Sequence, residues 1–323
     1  MGEGHLPVLA SEAIAVLQPR TGSSVADCTV GGGGHAERLL ETTAPHGRLL
    51  GIEADRAAIA EATRNLSRFG DRVVLRHANF ADVFDVAIAE GFVPLDAALF
   101  DLGLSSYQLS DPARGFSFTS SAPPDMRFDA EEGASALELI ARSSERELAA
   151  LIHAYGEERH ARRIAKAIVA ARDEGRLLSA ADLAQTVTRA APSSGGARSR
   201  INPATRTFQA LRIAVNRELD VLTAGLSGAL AALRPGGRVA VISYHSLEDR
   251  IVKRFIARES RDCIEDPLPP ACTCGHRAEL RVVTRGVVRP GVDEIQRNPR
   301  ARSAKLRAAE KLPVGSASQQ EER

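Results

Sequence analysis

The chain has 323 residues, enough for one large domain or two smaller ones around a substantial core. Its 42 Lys and Arg balance 41 Asp and Glu, and a formal charge of +1 excludes a global electrostatic footprint for nucleic acid, so any such surface must be local. Aromatic residues make up 4% with no tryptophan, which predicts a core of Leu, Val, Ile and Ala. Met1–Arg20 carries Glu3 and Glu12 and no continuous apolar stretch, so it does not read as a signal peptide. No segment approaches the ~20 apolar residues of a membrane span. A cytoplasmic protein without a membrane partner is expected.

The first third alternates strand and helix patterns. Strands are predicted at Ser23–Val30, Arg48–Glu53, Arg72–His77 and Asp96–Asp101, and helices at His35–Thr42 and Arg56–Phe69. Such alternation predicts βαβ units and a parallel sheet covered on both faces, hence an α/β fold. Ligands bind such sheets at the C-terminal strand ends. Gly31–His35, Glu53, Asn79-Phe80 and Asp101 all fall at those ends.

Four consecutive glycines, Gly31–Gly34, stand between the first strand and the helix opening at His35. Glycines there let a backbone turn sharply and admit a ligand, with the helix N-terminus aimed at it. A flexible surface loop is the plainer reading, but it leaves the strand–turn–helix context unexplained. Gly31, Gly33 and Ala36 satisfy G-x-G-x-x-A, and Glu53 lies 20 residues after Gly33, where a carboxylate can accept from both ribose hydroxyls. Nicotinamide oxidoreductases and S-adenosylmethionine enzymes share that arrangement, so the loop alone indicates a nucleoside cofactor.

Ser106–Asp129 is rich in Ser, Pro, Gly and Asp and reads as a long loop, and residues ~130 to ~200 read as wholly helical. Ser144 and Glu147 form a capping box for a helix ending at Gly156; the next is predicted at Glu157–Arg172, and Ser179 caps another. Asn202-Pro203 is read as the start of a long helix reaching about Leu233, with Leu211, Val215, Leu219, Leu222, Leu226 and Leu230 as its stripe. A fifth strand is expected at Arg238–Tyr244, a helix at Leu247–Glu259 and a late strand at Arg281–Val288. The expected organisation is a sheet domain over 1–110 and 206–312, a helical insertion over 111–205, and a polar, disordered tail over 313–323.

Cys28 reads as a small buried residue. Cys272-x-Cys274-Gly-His276, with Cys263, resembles a metal cluster, but its spacing departs from the usual C-x₂₋₄-C pairs, and a loop with reduced thiols is the favoured reading.

After the fourth strand comes Asp101-Leu-Gly-Leu-Ser105-Ser106-Tyr-Gln108-Leu. A carboxylate and two hydroxyls there suit the orientation and deprotonation of a nucleophile, although Asp, Gly and Ser also favour plain turns. The stretches DCTVGGGGH (27–35), DLGLSSYQL (101–109), RGFSF (114–118), PPDMRF (123–128), YGEER (155–159), NPATRTFQALRI (202–213), ISYHSLEDRIVK (242–253) and NPRARSAKLR (298–307) resemble the RsmH (MraW) family. The resemblance runs from about His5 to Arg307. It implies a class I S-adenosylmethionine-dependent methyltransferase fold, Rossmann-like, with an all-helical inserted domain. It further implies methylation of N4 of a decoding-centre cytidine in 16S rRNA, within the small ribosomal subunit.

Residue by residue, the resemblance places cofactor contacts on Gly33, Gly34, His35, Glu53, Phe80, Asp101 and Gln108. The family usually has Asp where this chain has Glu53, and commonly Phe where it has Tyr244; a longer carboxylate still reaches a ribose diol. DNA amino-methyltransferases carry an Asp/Asn/Ser-Pro-Pro-aromatic motif after the equivalent strand. Its Pro-Pro-aromatic part is missing here, so Asp101 is the first candidate proton acceptor and Ser105 or Ser106 the second. The base must be unstacked to reach such a pocket. Two basic clusters, Arg198, Arg200, Arg206 and Arg212, and Arg297, Arg300, Arg302, Lys305 and Arg307, are the expected rRNA contacts, with His245 and Glu248 bordering the substrate. Either cluster also reads as a solvated face. A homodimer is compatible with the sequence. The competing readings are a nicotinamide-dependent oxidoreductase and a non-catalytic RNA-binding assembly factor.

Overall fold

The structure, a computed structural model, describes residues 7–105, 108–109, 111–191, 202–265 and 273–313. The chain divides into two compact units, one built from residues 1–103 and 219–323 and the other from Leu104–Glu218.

The first unit contains a seven-stranded sheet in the order β3-β2-β1-β4-β5-β7-β6. Its strands are β1 (Ser24–Asp27), β2 (Arg48–Glu53), β3 (Val73–His77), β4 (Leu95–Asp101), β5 (Leu233–Ser243), β6 (Leu280–Val282) and β7 (Lys305–Lys311). The first five run parallel, while β7 pairs antiparallel with both β5 and β6. Alternate strand residues serve opposite faces. Ala26, Leu50, Ile52, Ala98, Phe100, Val239 and Val241 pack with α4 (Val83–Ala89), α10 (Glu218–Ala232) and α11 (Ser246–Glu259). Val25, Leu49, Ala97, Leu99, Ala240, Ile242 and Leu306 pack with α1 (Ala10–Leu17), α2 (Gly34–Thr42) and α3 (Arg56–Leu66). Burial on both sides is why the parallel strands read as near-continuous apolar runs.

The second unit is helical: α5 (Ala136–Arg142), α6 (Glu145–Gly156), α7 (Ala161–Asp173), α8 (Ala180–Ala190) and α9 (Thr205–Asn216). Ser144 and Glu147 form the expected capping box, and Ser179 forms one with Asp182. The unit is wider than 111–205. Leu104 and Leu109 pack against its core at one end, and Phe208 and Leu211 of α9 are buried in it at the other.

Several expectations are corrected. Helix α7 starts at Ala161, because Glu157 sits in the left-handed region (φ +49°) as the C-cap of α6. Asn202 Oδ1 accepts from Ala204 N–H at 2.8 Å, but only a turn follows it and α9 begins at Thr205. The long helix to Leu233 is two helices, broken where Arg217 adopts φ +50°. Asn216 just before the break donates to Met126 O at 2.7 Å and accepts from Phe128 N–H at 2.6 Å, so the helix is traded for a tertiary anchor. The late strand is only Leu280–Val282, with an isolated bridge from Val288 to Leu306, and the unforeseen β7 takes in the last two residues of the supposed basic cluster, Lys305 and Arg307. Ser106, Arg198, Arg200, Cys272 and residues 314–323 of the tail lie outside the described residues.

Candidate active site

The C-terminal ends of β2, β1 and β4 are neighbours in the sheet. Beyond β1 the chain stays tied to both flanking strands: Cys28 N–H donates to Leu99 O at 2.8 Å and Val30 N–H to Ile52 O at 3.0 Å. It then turns through Gly31 (φ +51°) and Gly33 (φ +93°). The φ of Gly33 favours glycine by conformation, and a Cβ there would also press the Leu66 side chain at 3.1 Å. Helix α2 follows at once, and the first-turn N–H groups of Gly34, His35 and Ala36 have no intrahelical acceptor.

Glu53 closes β2. Its Oε2 accepts from Gly31 N–H at 2.9 Å and its Oε1 from Asp55 N–H at 3.0 Å. Burial nonetheless pushes its pKa up to about 7, outweighing those two bonds. Each oxygen keeps a second lone pair, which suits the two hydroxyls of a ribose.

Asp27 closes β1 and is 1% exposed. One oxygen accepts from Thr29 N–H at 3.2 Å, and Oδ2 is buried without a hydrogen-bond partner. Burial raises its pKa to about 6, against the pull of His35. A buried orphan acceptor beside a glycine turn suits a cationic or N–H-bearing ligand group.

Asp101 closes β4, where its own N–H donates to Thr29 Oγ at 2.7 Å. Tyr244, just after β5, donates its hydroxyl to Asp101 Oδ1 at 2.8 Å, and His35 Nε2 lies 3.3 Å from Oδ2. The Tyr244 bond holds the carboxylate on one side, and His35 Nε2, which makes no hydrogen bond of its own, faces it on the other. Burial works to lower the His35 pKa, but the facing Asp101 carboxylate, with Asp27, reverses that and raises it. Phe80 opens a 3₁₀ turn after β3, its ring edge-on to Phe100 with centroids 5.5 Å apart.

The structure thus gathers Gly33, Gly34, His35, Glu53 and Asp101 at one set of strand ends, with Phe80 at the end of β3. Tyr244 and Asp27 join them, and neither was selected as a site residue from sequence. The Tyr244 contact spans 143 residues and had no local signal; Asp27 sits inside the DCTVGGGGH stretch, where its strand-end position was the available one.

Ser105 and Gln108 belong to the helical unit and bind each other, Ser105 N–H to Gln108 Oε1 at 3.1 Å and Gln108 N–H to Ser105 Oγ at 3.2 Å. The Ser105 hydroxyl is thus a turn cap. In the same unit Arg212 forms a two-pronged pair with Glu218 at 2.7 and 2.8 Å, while Arg206 is 56% exposed and 3.5 Å from Glu158. His245 is the N-cap of α11; its Nδ1 accepts from Glu248 N–H, and Glu248 is itself buried. Lys305 and Arg307 point from β7 to Asp249, at 3.2 and 2.7 Å. Arg300 and Arg302 sit exposed on a 3₁₀ turn, Pro299–Ser303.

The model of the MraW methylase family matches residues 2–312. The chain belongs to that family. It is 52% identical over 308 residues to a ribosomal RNA small subunit methyltransferase H from Thermomicrobium roseum, covering 95% of this chain and 94% of the relative. It is 49% identical to the enzyme of that name from Syntrophotalea carbinolica, covering 95% and 98%. The fold of this MraW family member is the class I, Rossmann-like fold of S-adenosylmethionine-dependent methyltransferases. Its strand ends fit that cofactor: two left-handed glycines open the approach, Glu53 offers a diol acceptor, and the orphan Asp27 oxygen offers a further one. The oxidoreductase and silent-assembly readings lose their support once the family is shown. Among the described residues no helix is long and apolar enough to cross a membrane.

Proposed function

We propose that this methyltransferase modifies the N4 amine of a cytidine in the decoding centre of 16S rRNA, within the small ribosomal subunit in the cytoplasm. The observation that carries the reading is the Asp101 carboxylate, oriented by Tyr244 and faced by His35, at the strand end beside the glycine turn.

Gly33, Gly34, His35, Glu53 and Phe80 are the residues we assign to hold S-adenosylmethionine, and the resemblance extends the set to Gln108. The chemistry the cofactor supplies is a sulfonium-borne methyl group open to in-line displacement, for which positioning provides much of the rate. The cytosine amine is a poor nucleophile because its lone pair is delocalised into the ring. An acceptor on its N–H draws that pair out and takes the proton as the new C–N bond forms. Asp101 has the geometry for this role. Its Oδ1 keeps a lone pair beyond the Tyr244 bond, and the carboxylate cannot rotate without losing that bond. Ser105 is the weaker candidate, because its hydroxyl oxygen is already used as a cap. Exposed Arg206, Arg300 and Arg302 are assigned to phosphate contacts.

The test incubates labelled S-adenosylmethionine with small subunits from cells lacking this gene. Label on cytidine N4 is expected. Label on a ring carbon or a ribose, or none, overturns the assignment.

A further inference from the structure

We propose that Cys263, Glu265 and Cys274 form a divalent-metal site, with zinc as the ion their donor set selects. The two thiols and the carboxylate belong to the connection between α11 and β6, and their ligand atoms all lie within 4.8 Å of one another. Cys263 Sγ is 3.8 Å from Glu265 Oε2. Zinc bonds of about 2.3 Å to sulfur and about 2.1 Å to oxygen put tetrahedral donors roughly 3.5–3.8 Å apart. The three groups therefore need to close by about 1 Å or less to grip an ion, a change within the rotamers of short side chains.

The donor chemistry is selective. Two sulfurs with one carboxylate suit zinc and disfavour calcium and magnesium, which take oxygen ligands. Among the described residues the three donors fill three positions of a tetrahedral ion. Thr273 already orients Glu265, donating its hydroxyl to Oε1 at 2.9 Å and its N–H toward Oε2 at 3.4 Å, as outer-shell groups do for metal ligands.

The connection is also held at its base. Ala278 N–H donates to Asp262 Oδ1 at 3.1 Å, Glu279 N–H to Glu259 O at 2.8 Å, and Leu312 N–H to Glu279 O at 2.8 Å. These bonds bring the Cys263 side of the loop back against the Cys274 side before any ion arrives, which lowers the ordering cost of binding.

The site is separate from the catalytic carboxylates. Tyr244 precedes the N-terminus of α11 and Cys263 follows its C-terminus. A 14-residue helix is about 21 Å long. The role fitted to that position is structural: the ion ties the loop to itself and secures the entry to edge strand β6. Binding displaces protons from the two thiols, so affinity rises with pH.

The experiment uses the full chain, purified under reducing conditions, dialysed against zinc and assayed for metal. About one zinc per chain is expected, replaceable by cobalt(II) with a near-ultraviolet thiolate-to-metal charge-transfer band. Cys263→Ser and Cys274→Ser each lose the band and the stoichiometric zinc. No zinc retained by the wild type, or full zinc in either serine variant, overturns the proposal. A second readout needs no variant: zinc should protect Cys263 and Cys274 from iodoacetamide, mapped by peptide mass. Equal alkylation with and without zinc overturns it as well.

Discussion

The Tyr244 hydroxyl donates to Asp101 Oδ1 at 2.8 Å, joining the end of β5 to the end of β4 across the position where an acceptor for the target amine would work. The bond fixes the carboxylate plane while Oδ2 faces His35. Tyr244→Phe removes the donor and leaves the ring in place against Gly103, whose Cβ position lies 3.0 Å from it. A hydrogen bond to a charged group contributes about 1.5–3 kcal/mol, so kcat should fall roughly ten- to a hundredfold if the full orientation is lost. The Asp101 carboxylate itself stays in place, so measurable transfer should remain. Steady-state kinetics on subunits would show the effect in kcat with little change in S-adenosylhomocysteine affinity. An unchanged kcat removes Tyr244 from the positioning of Asp101.

Asp101→Ala should lower methyl transfer by roughly 10²- to 10⁴-fold, the range for a lost general base. The same change strands a buried tyrosine hydroxyl and faces His35 with no carboxylate, so the melting temperature should also drop, by an amount corresponding to about 1–3 kcal/mol. Asp101→Asn separates the two effects. It keeps an acceptor for Tyr244 and most of the stability, but cannot take the proton. Transfer by the Asn variant at the wild-type rate would mean that Asp101 serves the fold or the cofactor alone.

Asp27 and Glu53 give the cofactor-free protein a pH signature. Burial lifts Asp27 from 3.8 to about 6 and Glu53 from 4.5 to about 7. Between those values the folded state binds more protons than the unfolded state, so these groups stabilise most below about pH 4, and that contribution is lost as pH rises through about 7. Asp27→Asn keeps an acceptor for Thr29 N–H and removes the titration. Urea midpoints from pH 4 to 7 should show the variant gaining on the wild type as pH rises; a constant difference would contradict the buried-charge account. Ribose hydroxyls donating to Glu53 favour its ionised form, so S-adenosylhomocysteine should bind more tightly as pH rises through 7.

How much of this was legible depended on distance along the chain. The βα alternation was readable because β1, β2 and β4 are buried on both faces and carry short apolar cores, Val25-Ala26, Leu49–Ile52 and Ala97–Phe100. Gly31–His35, Glu53 and Asp101 were found because strand ends are local features. The break at Arg217 was invisible: the stripe Leu211–Val215–Leu219–Leu222 continues through it, with neither Gly nor Pro. What enforces the break is Asn216 binding the backbone near Met126, 90 residues away. Strand β7 was hidden for the opposite reason. Lys305 and Arg307 look like a solvent-facing basic cluster until Asp249, 56 and 58 residues earlier, is seen to receive both.

Gly33→Ala tests the turn itself. A non-glycine residue at φ +93° costs on the order of 1–3 kcal/mol, and its Cβ also presses Leu66 at 3.1 Å. Gly22 has a similar φ of +83° with nothing within 4 Å of its Cβ position, so Gly22→Ala reports the backbone cost alone. Gly33→Ala should melt lower than Gly22→Ala, and it alone should weaken S-adenosylhomocysteine binding in calorimetry. Equal affinities in the two variants would detach the glycine turn from the cofactor.

The basic residues should divide by their partners. Arg302 is exposed on the Pro299–Ser303 turn, whereas Lys305 is spent on Asp249. Burial alone would raise the Asp249 pKa, yet the hydrogen bonds and charges of Arg307 and Lys305 outweigh it and hold it low. If Arg302 meets phosphate, Arg302→Ala should weaken rRNA binding across sequences and reduce the slope of log affinity against log salt by about 1. Lys305→Ala should leave that slope alone and lower thermal stability instead, because Asp249 loses one of its two cations inside the β5–β7–α11 packing. The comparison is decisive in filter binding from low to moderate salt. A slope that falls for Lys305→Ala and not for Arg302→Ala would move the RNA path from the 3₁₀ turn to the face of β7.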